Sequence, residues 1–146
     1  MFAIGWLELK DFEKADKIFK RSYAHIQEPF KTWSEVPDGG GAYNFITGMG
    51  GFLQTIIFGY AGIRIYSDHL EMNPVLPYET NNFVLHGVHY LGSAFMLEIS
   101  DTMVTVTRTT KNENSPELHL VQNDKSIPLS FEKSVSVPRE KLIIQP

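Results

Sequence analysis

The sequence predicts an α+β fold, with a helical first part over residues 1–62 and an antiparallel β part over residues 63–146. Three observations carry this. Apolar residues recur at three- and four-residue spacing in the first part and at two-residue spacing in the second. The change of period happens once, in mid-chain, and not as the repeated strand–helix alternation of a parallel sheet. Proline and glycine cluster between the periodic stretches, at Pro29, Pro37 and Gly39–Gly41, where turns and loops belong.

The elements follow in order. Phe2 to Leu9 resembles the end of a helix. Asp11 is placed to cap a second helix over 12–25, whose residues Phe12, Ala15, Ile18, Phe19 and Tyr23 share one face while Glu13, Lys14, Asp16, Lys17 and Lys20 take the other. Pro29 ends it, and residues 29–47 read as a loop. Phe52–Tyr60 reads as a helix that is apolar nearly all round, which requires burial on most sides. From Ile63 the alternation of Ile63 and Ile65 with Arg64 and Tyr66 reads as a half-buried strand. Phe83–Tyr90 is a strand candidate. Phe95, Leu97 and Ile99, the Asp101-Thr102 turn, then Val104 and Val106 give a hairpin signal. Leu118, Leu120, Ile127, Leu129 and Phe131 suggest two further strands, making an antiparallel meander or small sandwich.

Composition excludes several classes of function. The 146 residues carry 13 basic and 17 acidic side chains and a net charge of −4, with no basic block to meet a phosphate backbone, so no nucleic-acid partner is expected. There is no cysteine, which removes disulfides, thiol catalysis and thiolate-bound zinc. No run is long enough to span a membrane and no signal peptide is evident, so the chain reads as soluble, and the absence of an N-glycosylation acceptor favours the cytoplasm. The chain starts inside a helical pattern with no cap before it, as a fragment of a longer protein does.

The candidate chemistry lies between Pro29 and Gly62. Glu35 stands between Trp33 and the Pro37-Asp38-Gly39-Gly40-Gly41 break. Alone it is a solvated loop carboxylate. Beside an aromatic ring suited to stacking on a sugar and glycines that admit a ligand close to backbone, it is a candidate catalytic acid or base. Glu28 and Asp38 are nearby carboxylates, but neither clearly faces it. Gly48, Gly50 and Gly51 precede the apolar helix and read either as close packing positions or as ligand contacts. His86 and His89, three apart on a strand, point to opposite faces and so share no metal. No metal site and no cofactor are expected.

Two stretches, PFKTWSE and GAYNFITGMGGFLQTIIFGYAGIRI, together with LELKDFEKADKIFKRSY before them, resemble the end of the catalytic region of glycoside hydrolase family 65, in its acid trehalase-like branch. The resemblance implies the last helices of an (α/α)6 barrel over 1–62 and a small antiparallel β domain over 63–146. It implies inverting hydrolysis of an α-glucosidic bond, with Glu35 of Trp33-Ser34-Glu35 as general base and the general acid in an earlier part of the barrel; Trp33, Gly48, Gly50 and Gly51 stay candidates for substrate contact from the local reading of the residues alone. In phosphorylases of the family a histidine precedes the Gly-Gly pair and helps hold phosphate; that place is Phe45 here. The implied partner is a carbohydrate substrate, a glucosyl-galactosyl-hydroxylysine type of disaccharide, with oligomeric state left open. This chain alone is then expected to be inactive. A trehalase or disaccharide phosphorylase of the same family, and a non-catalytic sugar- or protein-binding module, are the alternatives.

Overall fold

Helix α1 (Phe2–Glu8) and helix α2 (Phe12–Ser22) are separated by a short turn that ends on Asp11. The Asp11 carboxylate accepts the Lys14 amide at 3.1 Å and pairs with the Lys14 ammonium at 2.7 Å, which caps α2 as expected. These Lys14 bonds hold the Asp11 carboxyl below the ordinary carboxylate value. The structure, a computed structural model, describes residues 2–37 and 41–146. Two compact units divide them, one running to Tyr60 and the other Ala61–Pro146.

The first unit departs from the expected element bounds in three places. Helix α2 stops at Ser22, because the chain turns extended and pairs strand β1 (Ile26–Gln27) with β2 (Thr32–Trp33). Helix α3 (Ile46–Gln54) starts well before Phe52, so Gly48, Gly50 and Gly51 lie inside the helix and not in a loop before it. Each costs about 1 kcal/mol in helix propensity relative to Ala, which is why a local reading delays the helix. From Thr55 to Tyr60 the hydrogen bonding widens into a π-helix. Gly59 lets Leu7 approach, since a Cβ there would stand 2.8 Å from Leu7 Cδ1.

Burial of the 52–60 stretch is one-sided. Thr55, Gly59 and Tyr60 are buried, while Leu53 and Phe58 remain 57% and 39% exposed. The buried Tyr60 hydroxyl has no hydrogen-bond partner among the described residues. Burial, with smaller contributions from Asp16 and Tyr23, pushes its pKa up to about 12.

The second unit holds two antiparallel sheets. The strands are β3 (Arg64–Ile65), β4 (Leu70–Met72), β5 (Asn82–Tyr90), β6 (Ser93–Ser100), β7 (Met103–Lys111), β8 (His119–Gln122), β9 (Lys125–Pro128), β10 (Ser134–Pro138) and β11 (Leu142–Gln145). One sheet runs β10-β7-β6-β5 and the other β3-β4-β11-β8-β9. Leu97, Ile99, Val104 and Val106 of the first and Leu70, Met72, Leu120, Leu142 and Ile144 of the second are all buried. Ile65 does not share a face with the core: Ile63 is buried just before β3, and Ile65 is 67% exposed.

The histidine pair is also placed differently from its spacing. The β5–β6 register shifts between Leu85 and Val88, where Gly87 takes φ +67° and forms a bulge. The extra residue resets the alternation, so Phe83, Leu85 and Val88 turn inward and His86 and His89 both fall on the exposed side. Among the described residues no cluster of three metal-binding groups occurs.

Candidate active site

The chain enters the site along β2, pinned by its neighbours before it reaches Glu35. Trp33 pairs with Ile26 across the two-stranded ribbon. Its indole Nε1–H donates to the carbonyl of Ser22, the last residue of α2, at 2.9 Å. Its ring lies 5.0 Å from that of Phe52 on α3, within a cluster that also holds Phe19 and Tyr23. The Trp33 carbonyl accepts the amide of Phe45 at 2.7 Å, just where α3 begins. The segment that carries the carboxylate is thus tied to the end of one helix and the start of the next.

Ser34 is buried and turns its hydroxyl onto the Val36 carbonyl at 2.8 Å. Glu35 follows with its side chain exposed. Its amide donates to the Ala42 carbonyl at 3.1 Å, and the Ala42 amide donates back to Glu35 Oε2, also at 3.1 Å. With the Phe45–Trp33 bond, this closes a loop whose two arms meet at Glu35. Gly41 fits this closure twice over: it takes φ +77°, and a Cβ there would stand 2.9 Å from Glu35 Oε2. One carboxylate oxygen, Oε2, is therefore held on backbone. Asp38, weighed as a second acid, lies outside the described residues.

The three helical glycines separate into two kinds. A Cβ on Gly48 would stand 2.9 Å from Phe45 Cδ1 and 3.3 Å from Trp33 Cδ1, so Gly48 makes room for the ring that braces β2. Cβ atoms on Gly50 and Gly51 would meet nothing within 4 Å. Their smallness answers to no neighbour among the described residues. Sequence reading missed the Ser22 carbonyl as partner of Trp33 and Ala42 as partner of Glu35. Neither is coded by spacing, since each bond depends on where the loop closes.

Among the described residues no helix is long and apolar enough to cross a membrane. No family model matches the chain. Curated relatives do. The protein-glucosylgalactosylhydroxylysine glucosidase of Danio rerio is 42% identical over 142 residues, which is 96% of this chain and 22% of that protein. The enzyme of the same name from Gallus gallus is 40% identical over 99% of this chain and 21% of its own length. A kojibiose hydrolase of Flavobacterium johnsoniae is 30% identical over 66% of this chain and 14% of that protein. Among solved structures, a human-microbiome protein assigned as a kojibiose phosphorylase shares the fold, with a TM-score of 0.67 and 15% identity over 94% of this chain and 18% of that one. The chain thus spans about a fifth of the length of the glucosidases it matches. From helix α1 to strand β11 it belongs with these proteins, in the group of glycoside hydrolases that resembles family 65.

Proposed function

We propose that this chain is the Glu35-bearing part of an inverting α-glucosidase, in which residues 1–62 complete an (α/α)6 barrel and 63–146 form the β domain that follows it in the sequence. Glu35 is the general base. The observation that supports the reading is the closure at Ala42: a backbone amide holds Oε2 of an otherwise exposed Glu35, so the carboxylate is fixed in place while it keeps an oxygen to take the proton of the attacking water. The relatives' names support a glucoside as substrate, with a glucosyl-galactosyl-hydroxylysine type of disaccharide as the first choice. Inversion needs a second carboxyl group about 6.5–9.5 Å away across the scissile bond, with the water between them. That acid comes from upstream barrel sequence.

The test is Glu35→Gln in a full-length protein carrying this segment. The amide keeps the shape and loses the base, so hydrolysis falls by about 10²–10⁴-fold while the unfolding midpoint stays in place. Wild-type turnover in that variant removes the assignment. Assays of the parent protein on glucosyl-galactosyl-hydroxylysine, kojibiose and trehalose, each with and without phosphate, identify the bond and the acceptor. Phosphorolysis is disfavoured by Phe45 in place of the expected phosphate-holding histidine and by the charge of Glu35, which repels phosphate. The 146-residue chain by itself is expected to release no glucose.

A further inference from the structure

We propose that Trp33 is a positioning residue that sets where Glu35 stands, and not a platform on which a sugar ring stacks; the proposal rests on the reading of Glu35 as base. A stacking platform needs an open ring face with polar groups around it to take the sugar hydroxyls. Trp33 is half-buried and lacks that polar surround. Its only polar side-chain atom is engaged by the Ser22 carbonyl, and its ring packs on Phe52. The hollow beside it, about 320 Å³, is lined by Phe19, Tyr23, Ile26, Trp33 and Phe52, so four of five side chains there are wholly apolar or already hydrogen-bonded. Sugar hydroxyls placed in it would lose water without finding partners.

The same bonds make Trp33 a brace. It fixes β2 to α2 through its indole N–H, to α3 through its ring and to the α3 start through its carbonyl. Glu35 lies two residues on, with the buried Ser34 between them. A shift of the ring therefore moves the carboxylate, and a displacement of about 1 Å at a catalytic group costs up to about 10²-fold in rate. Gly48 belongs to the same device, because any side chain there presses on both Phe45 and Trp33.

The experiment uses a full-length protein carrying this segment, with kcat and KM measured separately and unfolding midpoints as a control. Trp33→Phe keeps an aromatic ring and removes the donor to Ser22. We expect kcat to fall about 10-fold to 10²-fold with KM changed less than about 2-fold. Gly48→Ala, which leaves Trp33 in place but pushes it, gives the same pattern. The double variant loses less than the product of the two single effects, because both act through one ring. A raised KM with unchanged kcat in Trp33→Phe, or independent effects in the double variant, overturns the proposal. Glu35→Gln, run in parallel, separates the failures. Full turnover there removes the base assignment itself, whereas an inactive Glu35→Gln beside a Trp33→Phe affected only in KM removes the brace alone.

Discussion

Gly41 and the helical glycines show how much one hydrogen atom in place of a side chain can decide. At Gly41 an alanine must adopt a left-handed backbone, at about 1–2 kcal/mol, and its methyl group meets Glu35 Oε2 at 2.9 Å. Gly41→Ala should therefore break the Ala42–Glu35 closure. In a full-length protein its activity should fall with that of Glu35→Gln, by at least about 10-fold, and rate measurement checks it. Gly50 and Gly51 predict the reverse for stability. With open space at both, Gly50→Ala or Gly51→Ala should stabilise α3 by up to about 1 kcal/mol in a full-length protein carrying this segment, read from denaturant midpoints. If the same variants weaken substrate binding in the full-length protein, the space is kept for ligand. If they leave KM and kcat unchanged, ligand contact at these positions is ruled out.

Elements with a strong local signal were legible, and those set by distant partners were not. Helix α2 announces itself through the Asp11 cap and a clean apolar face, and the β6–β7 hairpin through alternation on both sides of Asp101-Thr102. Helix α3 hides its first turns behind glycines, and the bulge at Gly87 reverses the sense of His89 against a simple count by twos. The Trp33-Ser34-Glu35 stretch could be singled out from the sequence, but the groups that hold it, the Ser22 carbonyl at Trp33 and the Ala42 amide at Glu35, are linked to it by no periodicity. A further element-level signal lies in β7, where the alternation Val104, Val106 continues to Arg108 and puts a guanidinium in the core. Arg108 is fully buried and donates to Ser93 Oγ at 3.0 and 2.7 Å, to the Leu129 carbonyl at 3.2 Å and to the Pro116 carbonyl at 2.8 Å. It clasps β6 and two loops to β7. Arg108→Met keeps the length but leaves these acceptors without their donor, at a cost on the order of 3 kcal/mol or more. A fall in denaturant midpoint of that size checks it; a stability within 1 kcal/mol of the parent shows that the clasp is dispensable.

The two units differ in how far each can bury its own apolar surface. Every long strand pairing closes within Ala61–Pro146, and the two sheets there enclose large side chains such as Phe95, Leu97, Leu120 and Ile144. The first unit buries Ala3, Leu7, Ala15, Phe19 and Tyr60, while Phe2, Leu9, Phe12, Phe30, Ile46 and Leu53 each stay more than half exposed. At roughly 25 cal/mol per Å² of buried apolar area, so few inward side chains cannot offset the entropy of ordering some sixty residues at about 1–2 kcal/mol each. The glucosidases it matches are about five times longer, and in them this segment has much more protein to fold against. The expected outcome is therefore asymmetric. A polypeptide of residues 61–146 should show β-type circular dichroism and a cooperative thermal transition on its own. Residues 2–60 alone should show partial helicity that melts without a cooperative step. Tyr60 gives an internal probe: its ionisation, held up near pH 12 in the folded unit by burial, should return to about 10 in the isolated segment if that segment is unfolded. A cooperative transition and a retained high tyrosine pKa in residues 2–60 would show that the helical unit stands without further protein, and would remove the physical reason for placing it in a larger barrel.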